Sequence, residues 1–122
     1  MAKSGLVRNW DSASLVIPNA SSLSGSLVHA GRPIVGILMP EAWTAASISF
    51  DVAACAGGTL YPLYGDDLTQ VAIKGSACVA IANNTKLEKL SSWWAFRIRS
   101  GCGVASPVDQ GAARTFAVFF QG

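Results

Sequence analysis

The sequence predicts an all-β fold: a jelly-roll-like antiparallel β-sandwich of about eight strands with one short helix. Two observations favour this class. Apolar and polar residues alternate along many short segments, and Gly, Pro or Asn separates one segment from the next. Alternation with a period of two is typical of strands with one buried face, and short strands at regular spacing are typical of sandwiches. The 122 residues suit one domain, which we expect at residues 13–122, preceded by an N-terminal arm at residues 1–12.

The strictest alternation lies in two segments near the C-terminus, at residues 93–101 and 114–120. In the first segment, Arg97 and Arg99 point away from the apolar side chains. In the second, Phe119 points away from its phenylalanine neighbours. We interpret both segments as strands of one core. If they pair with each other, their arginines lie near one face of the sheet.

Three arginines of these segments are candidate contacts: Arg97, Arg99 and Arg114. One interpretation makes them solvated positions that pair with Asp109 or Asp51. The other makes them polar contacts to a neighbouring subunit, where arginine is common. We favour the second because the chain has few charges. Phe119 is an outward-pointing aromatic residue and the candidate apolar anchor of the same subunit interface.

The rest of the chain adds shorter strands to the same core. We expect these strands at residues 14–18, 22–30, 34–39, 47–52, 59–64, 69–74 and 77–82. The segment 34–39 is apolar on both faces, which is typical of a strand covered on both sides. Its second cover is expected to be a loop or another subunit. Residues 84–92 are the helix-like stretch, with Asn84 as the candidate cap.

The composition indicates a surface that is partly covered when the protein is in use. Charged residues make up 13% of the chain, against about 25% in an ordinary soluble domain, and apolar residues make up 51%. The 9 basic and 7 acidic residues are sparse on the roughly 6,200 Å² of surface that a monomer of this mass has. Burial against other subunits explains this sparseness. The near balance of charge argues against a nucleic-acid surface.

The sequence also bears on the compartment and on metal binding. The longest apolar run, at residues 34–39, falls far short of the ~20 residues that span a membrane, and residues 1–6 do not resemble a signal peptide. We therefore expect synthesis in the cytoplasm without secretion. Three widely spaced cysteines, Cys55, Cys78 and Cys102, lack metal-binding spacing. We expect buried, reduced thiols at these positions.

Few groups are suited to catalysis. His29 is the only histidine and lies in a predicted strand without a nucleophile motif, so a Ser-His-Asp triad has little support. Asp66 and Asp67 supply too few ligands for Ca²⁺, which takes about six to eight oxygens, and suit a polar hairpin tip. Glu41 and Asp51 are a conceivable carboxylate pair for sugar hydrolysis, but nothing fixes their separation. We expect no enzyme activity, no cofactor and no bound metal.

Four segments of the chain follow one another in a characteristic order: residues 39–50, 60–65, 96–101 and 107–115. The first of them is similar to the pattern MPxxWTxAxLTF. With these segments, the chain resembles small β-sandwich virion proteins of tailed bacteriophages, which have them in the same order. The turn at residues 55–58 departs from the family, whose members often have a more polar SxDG turn there.

The resemblance implies a role in the virion. Proteins of this kind serve as capsid decoration (cement) proteins, as bases of head fibres or as tail parts, and the resemblance supplies no catalytic residues. We expect a homotrimer on the capsid exterior that binds the major capsid protein, with a head fibre as a further partner that the resemblance allows. Such a protein would stabilise the head shell through many repeated contacts. It would have neither nucleic acid nor membrane as a partner.

The N-terminal arm is the candidate capsid contact. It lies outside the alternating pattern and holds Lys3, Arg8 and Trp10. Termini are poorly ordered unless something binds them, so the arm is either a tail without a partner or a segment that docks through Trp10. On a capsid, Lys3 and Arg8 suit an acidic surface, and Trp10 suits an apolar pocket.

A receptor- or carbohydrate-binding module of a phage head or tail fibre is the alternative function. In that case, exposed aromatic side chains would stack on sugar rings, and the candidates are Trp43, Tyr61 and Tyr64. Binding to capsids or to host polysaccharide distinguishes the two hypotheses.

Overall fold

Nine strands and one helical turn follow one another along the chain in the computed structural model, which describes residues 10–64, 72–74, 76–82, 85–102 and 107–121. The elements are β1 (Trp10–Ile17), β2 (Leu27–Val28), β3 (Ile34–Leu38), β4 (Ser47–Ala53), β5 (Tyr61–Pro62), β6 (Ala72–Lys74), β7 (Ala80–Ala82), α1 (Thr85–Glu88), β8 (Ala95–Ser100) and β9 (Arg114–Gln121). The all-β class predicted from the sequence is confirmed.

The strands form two antiparallel sheets with jelly-roll topology. Sheet 1 has the order β1-β9-β3-β7, and sheet 2 has the order β2-β8-β4-β5, with β6 also pairing with β4. Strands pair inward from both ends of the chain: β1 with β9, β2 with β8, β3 with β7 and β4 with β6. A long hairpin that is rolled up gives this order. Rolling then brings β9 beside β3 and β8 beside β4, as in a jelly roll.

The last two strands lie in different sheets and do not pair with each other, so the condition under which their arginines would share a face is not met. β8 lies between β2 and β4, whereas β9 lies between β1 and β3. The connection between them crosses from one sheet to the other. Alternation did not reveal this, because each strand needs one buried face whichever sheet of a sandwich it joins.

The inner faces of the two sheets enclose the apolar core. Its largest side chains, Phe50, Phe96 and Phe116, have no exposed surface. The rings of Phe50 and Phe96 meet edge to face, with 6.1 Å between their centroids, a favourable geometry for aromatic pairs. Leu87 and Leu90, in and just after α1, are also fully buried. Each such side chain contributes about 1.5–3 kcal/mol by leaving water.

Strand lengths differ from expectation at the N-terminal end. β1 begins at Trp10, within the range expected for the arm, because β9 offers it an eight-residue partner from Arg114 to Gln121. The strand expected at residues 22–30 is paired as a strand only at Leu27–Val28. Before that point, the Ser24 hydroxyl accepts a hydrogen bond of 2.9 Å from the Ile98 amide. A serine side chain thus takes the place of a backbone partner.

Within the described residues, no helix has the length and apolar character that crossing a membrane requires.

Candidate functional site

The proposed capsid contact lies mostly outside the described residues. Lys3 and Arg8 fall there. Trp10 is the first residue of β1, and its backbone is in register with Gln121 of β9. The arm is therefore followed directly by an edge strand of sheet 1, so its root is fixed to the sandwich.

Arg97 and Arg99 form a buried ionic cluster with Asp51 on the outer side of sheet 2. The Asp51 Oδ2 atom accepts a hydrogen bond of 2.8 Å from Arg97 Nε and one of 2.7 Å from Arg99 Nη2. Neighbouring strands impose this arrangement, since Asp51 of β4 lies opposite Arg97 of β8. The side chains of Asp51 and Arg99 are only 1% and 6% exposed, against 28% for Arg97. Asp51 is thus the partner of both arginines, but Arg99 is buried and only Arg97 is partly solvated.

Burial of this cluster makes it a structural feature of the chain. A single buried arginine costs several kcal/mol without a counterion, and Asp51 supplies that counterion. Two of the buried polar atoms, Asp51 Oδ1 and Arg99 Nη1, have no hydrogen-bond partner within the described part of the chain. The pairing is therefore incomplete, and only Arg97 retains appreciable contact with solvent.

Arg114 lies on the other sheet, away from the Asp51 cluster. Its Nε atom donates to Gln110 Oε1 at 3.1 Å, and its Nη2 atom donates to the Thr44 hydroxyl at 3.3 Å. The three arginines therefore do not share one face. The reason is that β8 and β9 belong to different sheets.

Gln110 joins two of the segments that carry the sequence resemblance. Its side chain is fully buried. It accepts a 2.8 Å hydrogen bond from the Thr44 amide, and it donates to the Thr44 carbonyl at 3.1 Å and to the Ser100 hydroxyl at 2.7 Å. Segments 39–50 and 107–115 thus meet in space. The residue types that these two segments share with the phage virion proteins are therefore explained by the folding of this corner of the sandwich.

Trp43 belongs to the same corner and does not offer a free ring. It is half-buried, packs edge to face on Phe116 with 5.4 Å between centroids, and donates from Nε1 to the Ala46 carbonyl at 3.0 Å. The expectation of an exposed, sugar-stacking Trp43 is wrong. Its indole fills a gap at the rim of the core, where an aromatic residue with a polar edge fits well.

Phe119 lies on the outer face of sheet 1, beside a shallow apolar groove of about 230 Å³. The groove also contacts Val35 and Leu38 of β3 and Ala80 of β7, and Leu38 is 43% exposed. Gly36 lies opposite Phe119. A Cβ atom at Gly36 would approach the Ile81 carbonyl oxygen to 3.1 Å, so glycine permits the close approach of β7 to β3 at this point.

The outer side of β3 is the apolar surface that the sequence indicated at residues 34–39. Ile34, Ile37 and Met39 face the core and are buried, whereas Leu38 is exposed. In the part of the chain that the structure describes, this outer face is left open as the groove beside Phe119.

A second cleft, of about 480 Å³, lies at one end of sheet 2. Tyr61 and Tyr64 line it and are 66% and 51% exposed. The half-buried Trp93 and the Cys55 thiol line it as well. Sequence reasoning identified the two tyrosines but not Trp93, since a tryptophan beside a strand is usually a core residue.

The remaining reactive side chains are dispersed. His29 is fully buried, and its Nε2 atom donates to the Leu90 carbonyl at 2.7 Å. Its ring packs edge to face on Phe96. Burial lowers the pKa of His29 below its usual value, so the ring is neutral at pH 7. No group of described residues has the composition of a metal site.

All three cysteines are free and exposed, so the expectation of buried thiols is wrong. Each lies in a turn or just beyond a strand end, at Cys55, Cys78 and Cys102. The apolar character of a thiol is not sufficient to predict burial there, because connecting segments run over the surface of a domain.

Comparison with known proteins gives one likeness of fold. No protein-family model matches the chain, and no curated protein sequence matches it. The structure is similar to the crystal structure of the SPBc2 prophage-derived protein YomS, with a TM-score of 0.53 and 11% sequence identity. The likeness covers 98% of this chain and 100% of the YomS chain. At this identity, the comparison shows a likeness of fold alone, over nearly all of this chain and all of the YomS chain.

Proposed function

We propose that this chain is a structural virion protein of a tailed bacteriophage, a capsid decoration protein that forms a homotrimer and stabilises the head shell from outside. Its partners are two further copies of itself and the major capsid protein. The four sequence segments similar to phage virion proteins support the phage origin. The full-length likeness to the fold of a prophage-derived protein agrees with it.

The small number of charged side chains that face solvent supports burial of part of the surface in an assembly. The surface area is 6369 Å², and the sequence provides 9 basic and 7 acidic residues for it. Two of these charges are withdrawn from solvent, because the Asp51 and Arg99 side chains bind each other and are only 1% and 6% exposed. Fewer charges therefore remain to face solvent than the composition alone suggests. Surfaces that are poor in charge are typical of subunit interfaces.

The apolar outer face of sheet 1 is the observation that carries the proposal. Phe119 and Leu38 are outward-facing apolar side chains beside a groove on this face. A second copy of the chain is the proposed occupant, because the described lining of the groove is apolar and carries no charged side chain. In a trimer, each copy would place this face against a different face of its neighbour, since three-fold rings use head-to-tail contacts. Arg114, at the start of β9, is partly exposed and remains a candidate for the polar rim of that interface.

The oligomeric state tests this interface. Light scattering of the purified protein at micromolar concentration should give three times the chain mass of 12.7 kDa. Phe119→Ser should convert the trimer into monomers without unfolding, since the side chain lies outside the core. Val28→Ser is the matched control: Val28 is 51% exposed on sheet 2, and its loss should leave the trimer intact. A wild-type protein that is monomeric both in solution and on capsids would refute the proposal.

A further inference from the structure

The cleft at the end of sheet 2 collects the exposed aromatic rings of the described chain. The large apolar side chains with at least a third of their surface exposed include three aromatic ones, Tyr61, Tyr64 and Trp94. Tyr61 and Tyr64 line the cleft, and Trp94 lines the adjoining groove on the other side of the turn at Cys55. Neighbouring exposed aromatic rings, unlike single scattered ones, make this end of sheet 2 a candidate binding surface.

The cleft has the dimensions and the rigid walls of a ligand site. Its volume of about 480 Å³ lies within the roughly 300–1,000 Å³ typical of small-molecule sites. Backbone hydrogen bonds fix its walls. The Leu63 amide donates to the Phe50 carbonyl at 2.9 Å, and the Trp94 amide donates to the Ala53 carbonyl at 2.9 Å. The tyrosine-bearing segment and the Trp93 backbone are therefore both tied to β4.

The chemistry of the walls selects the class of ligand. The described residues that line the cleft carry no charged side chain, so they offer nothing to neutralise a phosphate or a carboxylate. The walls are not purely apolar either, because Thr59, Tyr61 and Tyr64 bring hydroxyl groups that both donate and accept hydrogen bonds. A fitting ligand is therefore neutral, has an apolar face for stacking and carries many hydroxyls.

We propose that this cleft binds a neutral carbohydrate, with sugar rings stacking on Tyr61 and Tyr64 against the wall formed by Trp93. A pyranose ring has a face of C–H groups and an equatorial rim of hydroxyls, which matches an aromatic wall bordered by hydroxyls. The site is separate from the Phe119 face, which lies on the other sheet. A decoration protein with such a site would attach virions to glycans on a cell surface.

The test uses the full-length protein and trisaccharides of glucose, galactose, mannose and N-acetylglucosamine as probes. Binding is followed by tryptophan fluorescence, to which Trp93 contributes. At least one probe should bind saturably. Tyr61→Ala and Tyr64→Ala should each weaken binding about tenfold, equivalent to ~1.4 kcal/mol. Tyr61→Phe retains the ring and loses one hydroxyl, so it should weaken binding clearly less than Tyr61→Ala does, by the contribution of a single hydrogen bond at most.

Two controls separate this proposal from the proposed function. Phe119→Ala truncates an aromatic side chain on the other sheet, so it should impair assembly but leave sugar binding unchanged. Glucose 6-phosphate and octanol test charged and apolar ligands. The carbohydrate proposal is overturned by a panel without saturable binding, by alanine variants that bind like wild type, or by a cleft that prefers either of the last two probes. None of these results bears on trimer formation.

Discussion

Replacing Asp51 with alanine should destabilise the protein more than any exposed substitution, because Asp51 is the counterion of a buried arginine. The carboxylate is 1% exposed, and the Arg99 side chain is 6% exposed. Removing one partner of a buried ion pair costs about 3–5 kcal/mol, since the other charge stays buried without compensation. A chain of 122 residues has a total stability of roughly 6–18 kcal/mol. Asp51→Ala therefore removes a large fraction of it.

Urea unfolding followed by tryptophan fluorescence measures this loss. With a denaturant slope of about 1–3 kcal/mol per M, the midpoint of Asp51→Ala should fall by at least about 1 M. Arg97→Gln is the matched control: Arg97 binds the same Oδ2 atom but is 28% exposed, so the cost should stay near ~1 kcal/mol or below. A midpoint for Asp51→Ala within experimental error of wild type would refute the assignment of a buried counterion.

A double variant tests the physical reason for the loss. In Asp51→Leu combined with Arg99→Met, both buried charges are replaced by apolar side chains of similar volume. Replacing a buried pair in this way is often neutral or stabilising, and here both partners have an unpaired polar atom. The double variant should therefore recover most of the stability that Asp51→Ala loses. If it is as unstable as the single variant, packing rather than charge holds this region together.

Three further predictions concern the corner, the histidine and the arm. Gln110→Ala should lower the free energy of unfolding by about 1–3 kcal/mol for each buried partner left unpaired; a change below 0.5 kcal/mol in urea unfolding would contradict this role. The pKa of His29 is lower in the folded protein than in the unfolded chain. Below about pH 6.5, the unfolded chain therefore binds a proton at His29 that the folded chain does not bind. The free energy of unfolding should therefore fall as the pH is lowered from about 7 towards the pKa that His29 has in the folded state. This group contributes at most ~1.4 kcal/mol per pH unit to that fall. His29→Gln should remove the contribution of His29 to the pH dependence. Deleting residues 1–9 should leave the circular dichroism spectrum and the trimer unchanged but weaken capsid binding, as should Trp10→Ala; full binding by the truncated form would exclude the arm from attachment.

The sequence predicted the alternating faces well, because burial on one side of a strand is a local property. The apolar side chains that alternate with Arg97 and Arg99 in β8, Phe96 and Ile98, are fully buried, as alternation predicts. Which strands pair is a non-local property, so alternation could not decide whether the last two strands pair, and β8 and β9 in fact lie in different sheets. In a rolled-up hairpin, partners lie far apart in sequence, so β1 pairs with β9 across almost the whole chain.

The candidate sites were predicted less well than the fold. Arg97 and Arg99 were recognised as unusual, and Asp51 was named as a candidate partner, but their burial was not expected. Burial of an outward-facing charge depends on what covers the outer side of the sheet, and alternation contains no information on this. Trp93 was missed for the same reason: its place in the cleft depends on tertiary contacts with β4.

Co-sedimentation of the purified protein with undecorated capsids, taken from a tailed phage proposed to encode the chain, is the most direct test of the proposed capsid-decoration function. We expect saturable binding to the outer surface, with bound copies in multiples of three and greater resistance of the decorated shell to heat. A protein that stays in the supernatant at every concentration, while the major capsid protein sediments, would contradict the assignment as a capsid decoration protein.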